Sequence, residues 1–178
     1  ELLEMVAAHE NLTGHSDLFQ VRYGALKRDR GGAKVPGLDN IGAGYTLPIT
    51  SYDTTLSMHF DQTDESVIEE PFDFLNIERR TRSYAIGLRH PVVKNYHAGK
   101  KYYQEMAIGL MADHRSSETF LLGERFSFSP GAVDGKSAVG ALRLSGEWIQ
   151  RSSVQVLASR LTLGWGADVL DATRNAAG

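Results

Sequence analysis

The sequence predicts an all-β protein: an antiparallel transmembrane β-barrel of about eight meandering strands, with residues 1–178 forming one partial barrel domain. Three observations predict it. Side chains alternate between apolar and polar along segment after segment, and the links between segments alternate between short and long. No apolar run approaches the ~18 to 20 residues that a membrane helix needs.

Seven segments alternate with a period of two, which is typical of a strand whose two faces meet different surroundings. In one of them, Tyr84, Ile86 and Leu88 share one face while Arg89 lies on the other. Residues 1–9 are ambiguous between helix and strand, and the Asn-Leu-Thr-Gly turn after them favours an eighth strand. The seven segments are residues 17–27, 39–47, 53–64, 82–90, 102–113, 137–148 and 153–166.

The lengths of the links form a second pattern. Short links are predicted at residues 11–16, 48–52 and 151–153, with the moderate link 90–100 on the same side. Long links alternate with them. Antiparallel neighbours with short turns at one end and long loops at the other are typical of outer-membrane barrels, where the short turns are periplasmic. The predicted long loops are residues 28–37, 63–80 and 116–135.

A soluble β-sandwich also alternates apolar and polar residues, so alternation alone does not decide between the two architectures. Strand length favours a membrane barrel, because several segments reach the ~9 to 11 residues that cross a bilayer rather than the ~5 to 6 usual in soluble sheets. Charges at mid-strand positions of the polar face are typical of a wet lumen. Glycines on that face either relieve strand twist or leave room for an inserted segment, and both interpretations stay open.

Two sets of functional residues are therefore predicted, one for each face of the strands. The polar face is predicted to line the lumen, and aromatic residues near the strand ends of the apolar face are predicted to form girdles at the membrane borders. The lumen set is Arg22, His59, Arg89, Asp113, Arg143, Glu147 and Arg160. The girdle set is Tyr23, Tyr84 and Trp165 toward the long loops, with Tyr45 and Trp148 toward the short turns.

Composition and spacing argue against several functions. A net charge of −3 argues against a nucleic-acid partner, and the lack of cysteine excludes disulfides and thiolate zinc sites. The six histidines show no ligand pair at close spacing, and the acids of residues 61–73 are expected to be solvated in a loop. Residues 130–137 resemble a phosphate-binding loop, but the glycine spacing is wrong and a strand follows. The sequence thus predicts no enzyme, metal, nucleotide or other cofactor.

Several stretches are similar to one family of proteins. They are residues 11–15, 44–56 (GYTLPITSYDTTL), 69–78 (EEPFDFLNIE), 83–91 (SYAIGLRHP), 116–137 (SSETFLLGERFSFSPGAVDGKS) and 145–160 (SGEWIQRSSVQVLASR). Together they resemble the outer-membrane transporters of two-partner secretion, the haemolysin-activator and filamentous-haemagglutinin-exporter type of the Omp85 superfamily. The FSFSPGA loop, followed by a strand that ends in Glu-Trp and a turn into Gln-Val-Leu-Ala, is the most specific part.

The resemblance implies a sixteen-stranded barrel, of which this chain supplies roughly the first half. Two POTRA domains, a plug helix, the second half of the barrel and the Val-Arg-Gly-Tyr tetrad of the inward loop would then lie outside residues 1–178. The implied function is secretion and activation of a large partner exoprotein, a haemolysin or an adhesin, across a Gram-negative outer membrane, with exoprotein and membrane lipid as partners. A passive diffusion porin and a soluble β-sandwich binding module are the alternatives.

Overall fold

The computed structural model describes residues 2–30, 33–66, 75–128 and 132–167, which form one antiparallel sheet of nine strands. A 3-10 turn, Ala98–Lys100, lies between the fifth and sixth strands. The strands are β1 (Leu2–Glu10), β2 (Leu18–Arg30), β3 (Ala33–Pro48), β4 (Thr55–Ser66), β5 (Glu78–His97), β6 (Tyr102–Leu121), β7 (Glu124–Arg125), β8 (Lys136–Ser152) and β9 (Val156–Ala167).

The sheet is a meander in which the eight long strands follow chain order, β1-β2-β3-β4-β5-β6-β8-β9. The two-residue strand β7 pairs only with β6. The all-β class and the eight predicted strands are confirmed, whereas β7 was not predicted. Within the described residues, β1 and β9 each have one neighbour and the sheet is not closed, so the barrel itself stays a prediction.

The strands run further toward the long-loop end than the alternating pattern predicts. The predicted loop 28–37 is wrong, because β2 continues to Arg30 and β3 begins at Ala33. Likewise β6 continues through Leu121 into the predicted loop 116–135. Parts of the predicted long loops, residues 67–74 and 129–131, and the tail from residue 168 lie outside the described residues.

Polar cross-strand contacts accompany the extension of β4, β5 and β6. The Nε atom of Arg80 donates to Asp64 Oδ1 at 2.7 Å, and Arg79 Nε donates to Ser117 Oγ at 3.0 Å. Both contacts lie beyond the last apolar residues of β5. Backbone pairing therefore continues where hydrophobic alternation, the signal that predicts a strand, has already ended.

The sheet has almost no hydrophobic core of its own. Among the described residues, the buried hydrophobic ones are three alanines, Ala25, Ala107 and Ala138. A water-soluble domain of this size buries most of its large apolar side chains, because that burial offsets the conformational entropy lost on folding. This sheet therefore needs another apolar surface or medium against one of its faces.

The turn between β1 and β2 is organised by Asp17, whose side chain is 1% exposed. Its Oδ1 atom accepts hydrogen bonds from the backbone N–H of Thr13 at 3.0 Å and from the Thr13 hydroxyl at 2.8 Å. Burial by itself raises the pKa of this carboxyl, but hydrogen bonds, chiefly from Thr13, outweigh it and lower the pKa from 3.8 to about 2. The ionised carboxylate thus holds the turn.

We expect Asp17→Asn to remove part of the protein's sensitivity to acid. Since the folded pKa lies below the unfolded value, the contribution of Asp17 is fully present above pH 3.8 and is lost as pH falls toward about 2. The free energy of unfolding in detergent should therefore fall less steeply over this range in the variant than in the wild type. Thr13→Val, which removes one donor, should give an intermediate slope. Identical slopes in all three proteins would contradict this role.

Candidate functional site

The two faces of the sheet differ in chemistry, and a row of leucines defines the first of them. Six leucines, one in each of six neighbouring strands, are paired with one another in register. Residues paired directly across antiparallel strands lie on the same face, so this leucine row marks what we call the apolar face. The leucine row consists of Leu47, Leu56, Leu88, Leu110, Leu144 and Leu163.

The side chains of the apolar face are exposed. Leu110 is 48% exposed, and its neighbours Ile108 and Ile86 are 51% and 50% exposed. Between them on the same strands, Gly109 and Gly87 of the opposite face are less exposed. This order is the reverse of that in a soluble sheet, where the apolar side chains are the covered ones.

All five predicted girdle aromatics lie on the apolar face. Tyr45 and Trp165 belong to one hydrogen-bonded row, adjacent to the leucine row, while Tyr23 pairs with Ile41. Trp148 pairs with Met106, and the ring of Tyr84 contacts that of Phe60 at a centroid distance of 5.2 Å. Their shared face is now established, and their place at a membrane border stays a prediction.

All seven residues predicted to line a lumen lie on the opposite face, which we call the charged face. Six of them form ion pairs. Arg22 pairs with Asp61, and Arg143 pairs with Asp113. His59 instead lies beside Gly44, where a Cβ atom would come within 3.2 Å of its Nδ1 atom. The other three predicted residues, Arg89, Glu147 and Arg160, form a single cluster.

Arg89 is the centre of this cluster. Its guanidinium donates to Glu105 Oε1 on β6 at 2.6 Å and to Glu147 Oε2 on β8 at 2.9 Å. Arg160 on the edge strand β9 lies 3.2 Å from the other oxygen of Glu147. The Tyr103 hydroxyl donates to Glu105, which extends the cluster toward the β5–β6 turn. The cluster borders a cavity of about 680 Å³ that opens on the charged face.

Sequence reasoning missed several members of these contacts. Glu105 is not among the predicted site residues, and neither is Tyr103, which lies two residues before it on the same face. Asp61 and Asp64 fall within the predicted strand 53–64, which is confirmed, but they were also counted among the acids of a solvated loop, which is wrong, because both lie within β4 and pair with arginines. The missing signal was a basic partner one or two strands away, and such a partner can be assigned only once the register is known.

A glycine makes the Arg22–Asp61 pair geometrically feasible. Arg22 on β2 and Asp61 on β4 both pair in register with Gly42 on β3, so their side chains meet above that strand. A Cβ atom at Gly42 would lie 2.6 Å from Asp61 Oδ1 and 2.8 Å from Arg22 Nε. Gly42 therefore provides the space in which the ions meet.

We expect Gly42→Ala to displace the Arg22–Asp61 pair. The matched control is Gly24→Ala on the same face, where the nearest atoms to a new Cβ lie 4.0 Å away. Because the paired side chains are 55% and 35% exposed, the Gly42 variant should be less stable than the Gly24 variant by ~0.2 to 1 kcal/mol. The measurement is the free energy of unfolding in detergent. In an Arg22→Ala background the difference should vanish, and its persistence would argue against the pair as the cause.

Neither a metal-ligand cluster nor a membrane-spanning helix occurs among the described residues. No group of three or more histidine, aspartate or glutamate side chains in this part of the chain is arranged to hold a metal ion. In the same residues, no helix has the length and apolar character to cross a membrane.

Comparison with protein-family models, with curated proteins and with solved structures finds no match to this chain. Nothing in these comparisons identifies a two-partner secretion transporter. The resemblance to that family therefore depends on the sequence stretches alone, and the functional argument depends on the two faces of the sheet.

Proposed function

We propose that this chain forms part of the wall of an outer-membrane β-barrel in a Gram-negative bacterium, and that the barrel conducts a large partner exoprotein to the cell surface. One observation carries the proposal: the large apolar side chains of the sheet are exposed on one face, while the other face carries ions that pair with one another. Lipid suits the first face, and a wet lumen suits the second.

The dimensions of the apolar face support lipid as its partner. On β5 this face is apolar from Tyr84 to Val93, interrupted only by His90, which accounts for about 30 Å of strand at ~3.3 Å per residue. A tilt of ~40° reduces that span to about 23 Å, close to the ~25 Å height of the apolar band of outer-membrane barrels. Beyond the band, β5 and β6 carry arginine, glutamate, asparagine and glutamine on the same face.

The charged face supports passage of a polar chain rather than tight binding. Its arginines are largely neutralised by carboxylates one or two strands away, as in the Arg89 cluster. Conduction requires contacts weak enough for the cargo to leave again, and paired charges expose a hydrated surface without a strong field of one sign. The choice of a protein as the cargo comes from the resemblance to two-partner secretion transporters.

We expect Leu144→Arg to destabilise the protein much more than Ser145→Arg. The two residues are neighbours on β8, but Leu144 is on the apolar face, 43% exposed, and Ser145 is on the charged face beside Gly109. An arginine in the lipid should lower the free energy of unfolding by ~2 to 4 kcal/mol, whereas one in the lumen should have little effect. Unfolding of both variants in phospholipid vesicles checks this. Equal losses would exclude lipid as the partner of the apolar face.

The transport role is tested by deleting the gene from its host. The expected result is that one large exoprotein disappears from the cell surface and the medium and is found in the periplasm, while uptake of small sugars is unchanged. Restoring the wild-type gene should restore secretion, and restoring the Leu144→Arg variant should not. Slower sugar uptake with normal protein secretion would instead show a diffusion porin. A protein that folds cooperatively in water without detergent would show a soluble sandwich.

A further inference from the structure

The cavity beside the Arg89 cluster has more hydrogen-bond donors than acceptors. Its volume is about 680 Å³, and its charged lining consists of three arginines and two glutamates, so three positive charges face two negative ones. Small-molecule sites in proteins have volumes of ~300 to 1,000 Å³. The cavity therefore has room for a ligand, and its charges decide which kind. The five charged residues are Arg89, Arg151, Arg160, Glu105 and Glu147.

The two glutamates already have partners within the cluster. Glu105 accepts a hydrogen bond from Arg89 at 2.6 Å through one oxygen and one from the Tyr103 hydroxyl through the other. Glu147 accepts from Arg89 at 2.9 Å, and its second oxygen lies 3.2 Å from Nη2 of Arg160. Each of the four carboxylate oxygens thus contacts a donor of the protein itself.

Two of the arginines keep donors that nothing in the cluster uses. A guanidinium carries five N–H donors. Arg160 contacts Glu147 through Nη2, and its side chain is 67% exposed. The side chain of Arg151 is exposed and has no hydrogen-bond or ion-pair partner among the described residues. The unused chemistry of the cavity is therefore that of a cationic donor, which suits an anion.

The space between these two arginines has an apolar floor. Arg151 pairs with Val156 on β9, four residues before Arg160, which places the two arginines roughly 13 Å apart along the strand at ~3.3 Å per residue. Between them, Ile149 and Ala158 pair with each other and line the cavity. A strongly hydrated inorganic anion would lose water against this floor without compensation, whereas an anion on a hydrocarbon stem would not.

We infer that the cavity binds a carboxylate on a short hydrocarbon stem, such as a glutamate or aspartate side chain, between the guanidinium groups of Arg151 and Arg160. Guanidinium and carboxylate match as planar groups that form two parallel charge-assisted hydrogen bonds. The stem of the ligand lies against Ile149 and Ala158. This binding site does not depend on what covers the apolar face.

The position of the cavity indicates which molecule carries the carboxylate. On β6 its lining extends from Ala107 to Tyr103, next to the strand's first residue and well toward the short turns from Leu110 of the leucine row. The short turns are predicted to be periplasmic, so the cavity lies at the periplasmic mouth of the proposed lumen. An extended exoprotein that enters there presents its acidic side chains to this cavity first. This second step rests on the proposed function.

Binding is measured on the full-length protein in detergent micelles at low ionic strength, with its arginines labelled with nitrogen-15. The probes are two blocked tripeptides, acetyl-Ala-Glu-Ala-amide and acetyl-Ala-Gln-Ala-amide, which have nearly the same shape and differ in charge. The glutamate peptide should shift the Nε–H resonances of Arg151 and Arg160 along one binding curve. The glutamine peptide should leave them unchanged at the same concentrations.

Four variants test whether the cavity is the site. Arg151→Gln and Arg160→Gln should each weaken binding of the glutamate peptide roughly tenfold, because each removes a charge-assisted contact. Ala158→Leu should also weaken it, since it keeps both arginines and fills the floor. The control is Arg115→Gln, because Arg115 is an exposed arginine on the same face outside the cavity. Equal binding of the two peptides, or an equal loss with Arg115→Gln, would overturn the site.

The carrier of the carboxylate is tested by secretion in the host. The double variant Arg151→Gln/Arg160→Gln should reach the outer membrane in normal amounts and secrete the exoprotein more slowly than the wild type, whereas Arg115→Gln should secrete normally. Normal secretion by a double variant that has lost peptide binding would overturn the exoprotein as the carrier. If the wild-type protein secretes no exoprotein, the proposed function fails, and the peptide titration still decides whether the carboxylate site exists.

Discussion

The structure depends on backbone hydrogen bonding between neighbouring strands. Each long strand except β1 and β9 is paired on both sides, so its N–H and C=O groups are satisfied laterally, without packing between layers. Because the backbone is satisfied in this way, the side chains of the apolar face do not pack into a core. The buried hydrophobic residues of the described chain are three alanines. Side chains that would destabilise a soluble sheet by their exposure are then available to contact another medium.

Small residues on the charged face allow long side chains to reach across whole strands. Gly42 leaves the space in which Arg22 and Asp61 meet, and Ala107, 2% exposed, lies on the strand that Arg89 crosses to reach Glu147. The sequence left two interpretations of the polar-face glycines open. The structure adds a third for Gly42: the space beside it is filled by an ion pair of the wall itself.

The sequence predicted the strands well and the contacts poorly, and both outcomes have physical causes. A period of two is a local signal, so eight strands could be found from the chain alone. Strand ends beyond the apolar band carry no such signal, which is why β2, β3 and β6 extend into predicted loops. Ion pairs such as Arg89–Glu147 join residues 58 positions apart across two strand boundaries. Predicting them requires the register of β5, β6 and β8, which short turns and hydrophobic pattern fix only approximately.

The chemistry of each face restricts what can lie against it. If the charged face were packed dry against another protein layer, its arginines, which are 38% to 67% exposed in the described structure, would lose hydration that their single or double pairing does not replace. That face therefore requires water or a polar chain beside it. If the apolar face were in water, the sheet would leave its leucine row exposed with no compensating core. A wall between lipid and a wet lumen satisfies both requirements at once, and so would a second protein layer that covers the apolar face and leaves the charged face in water.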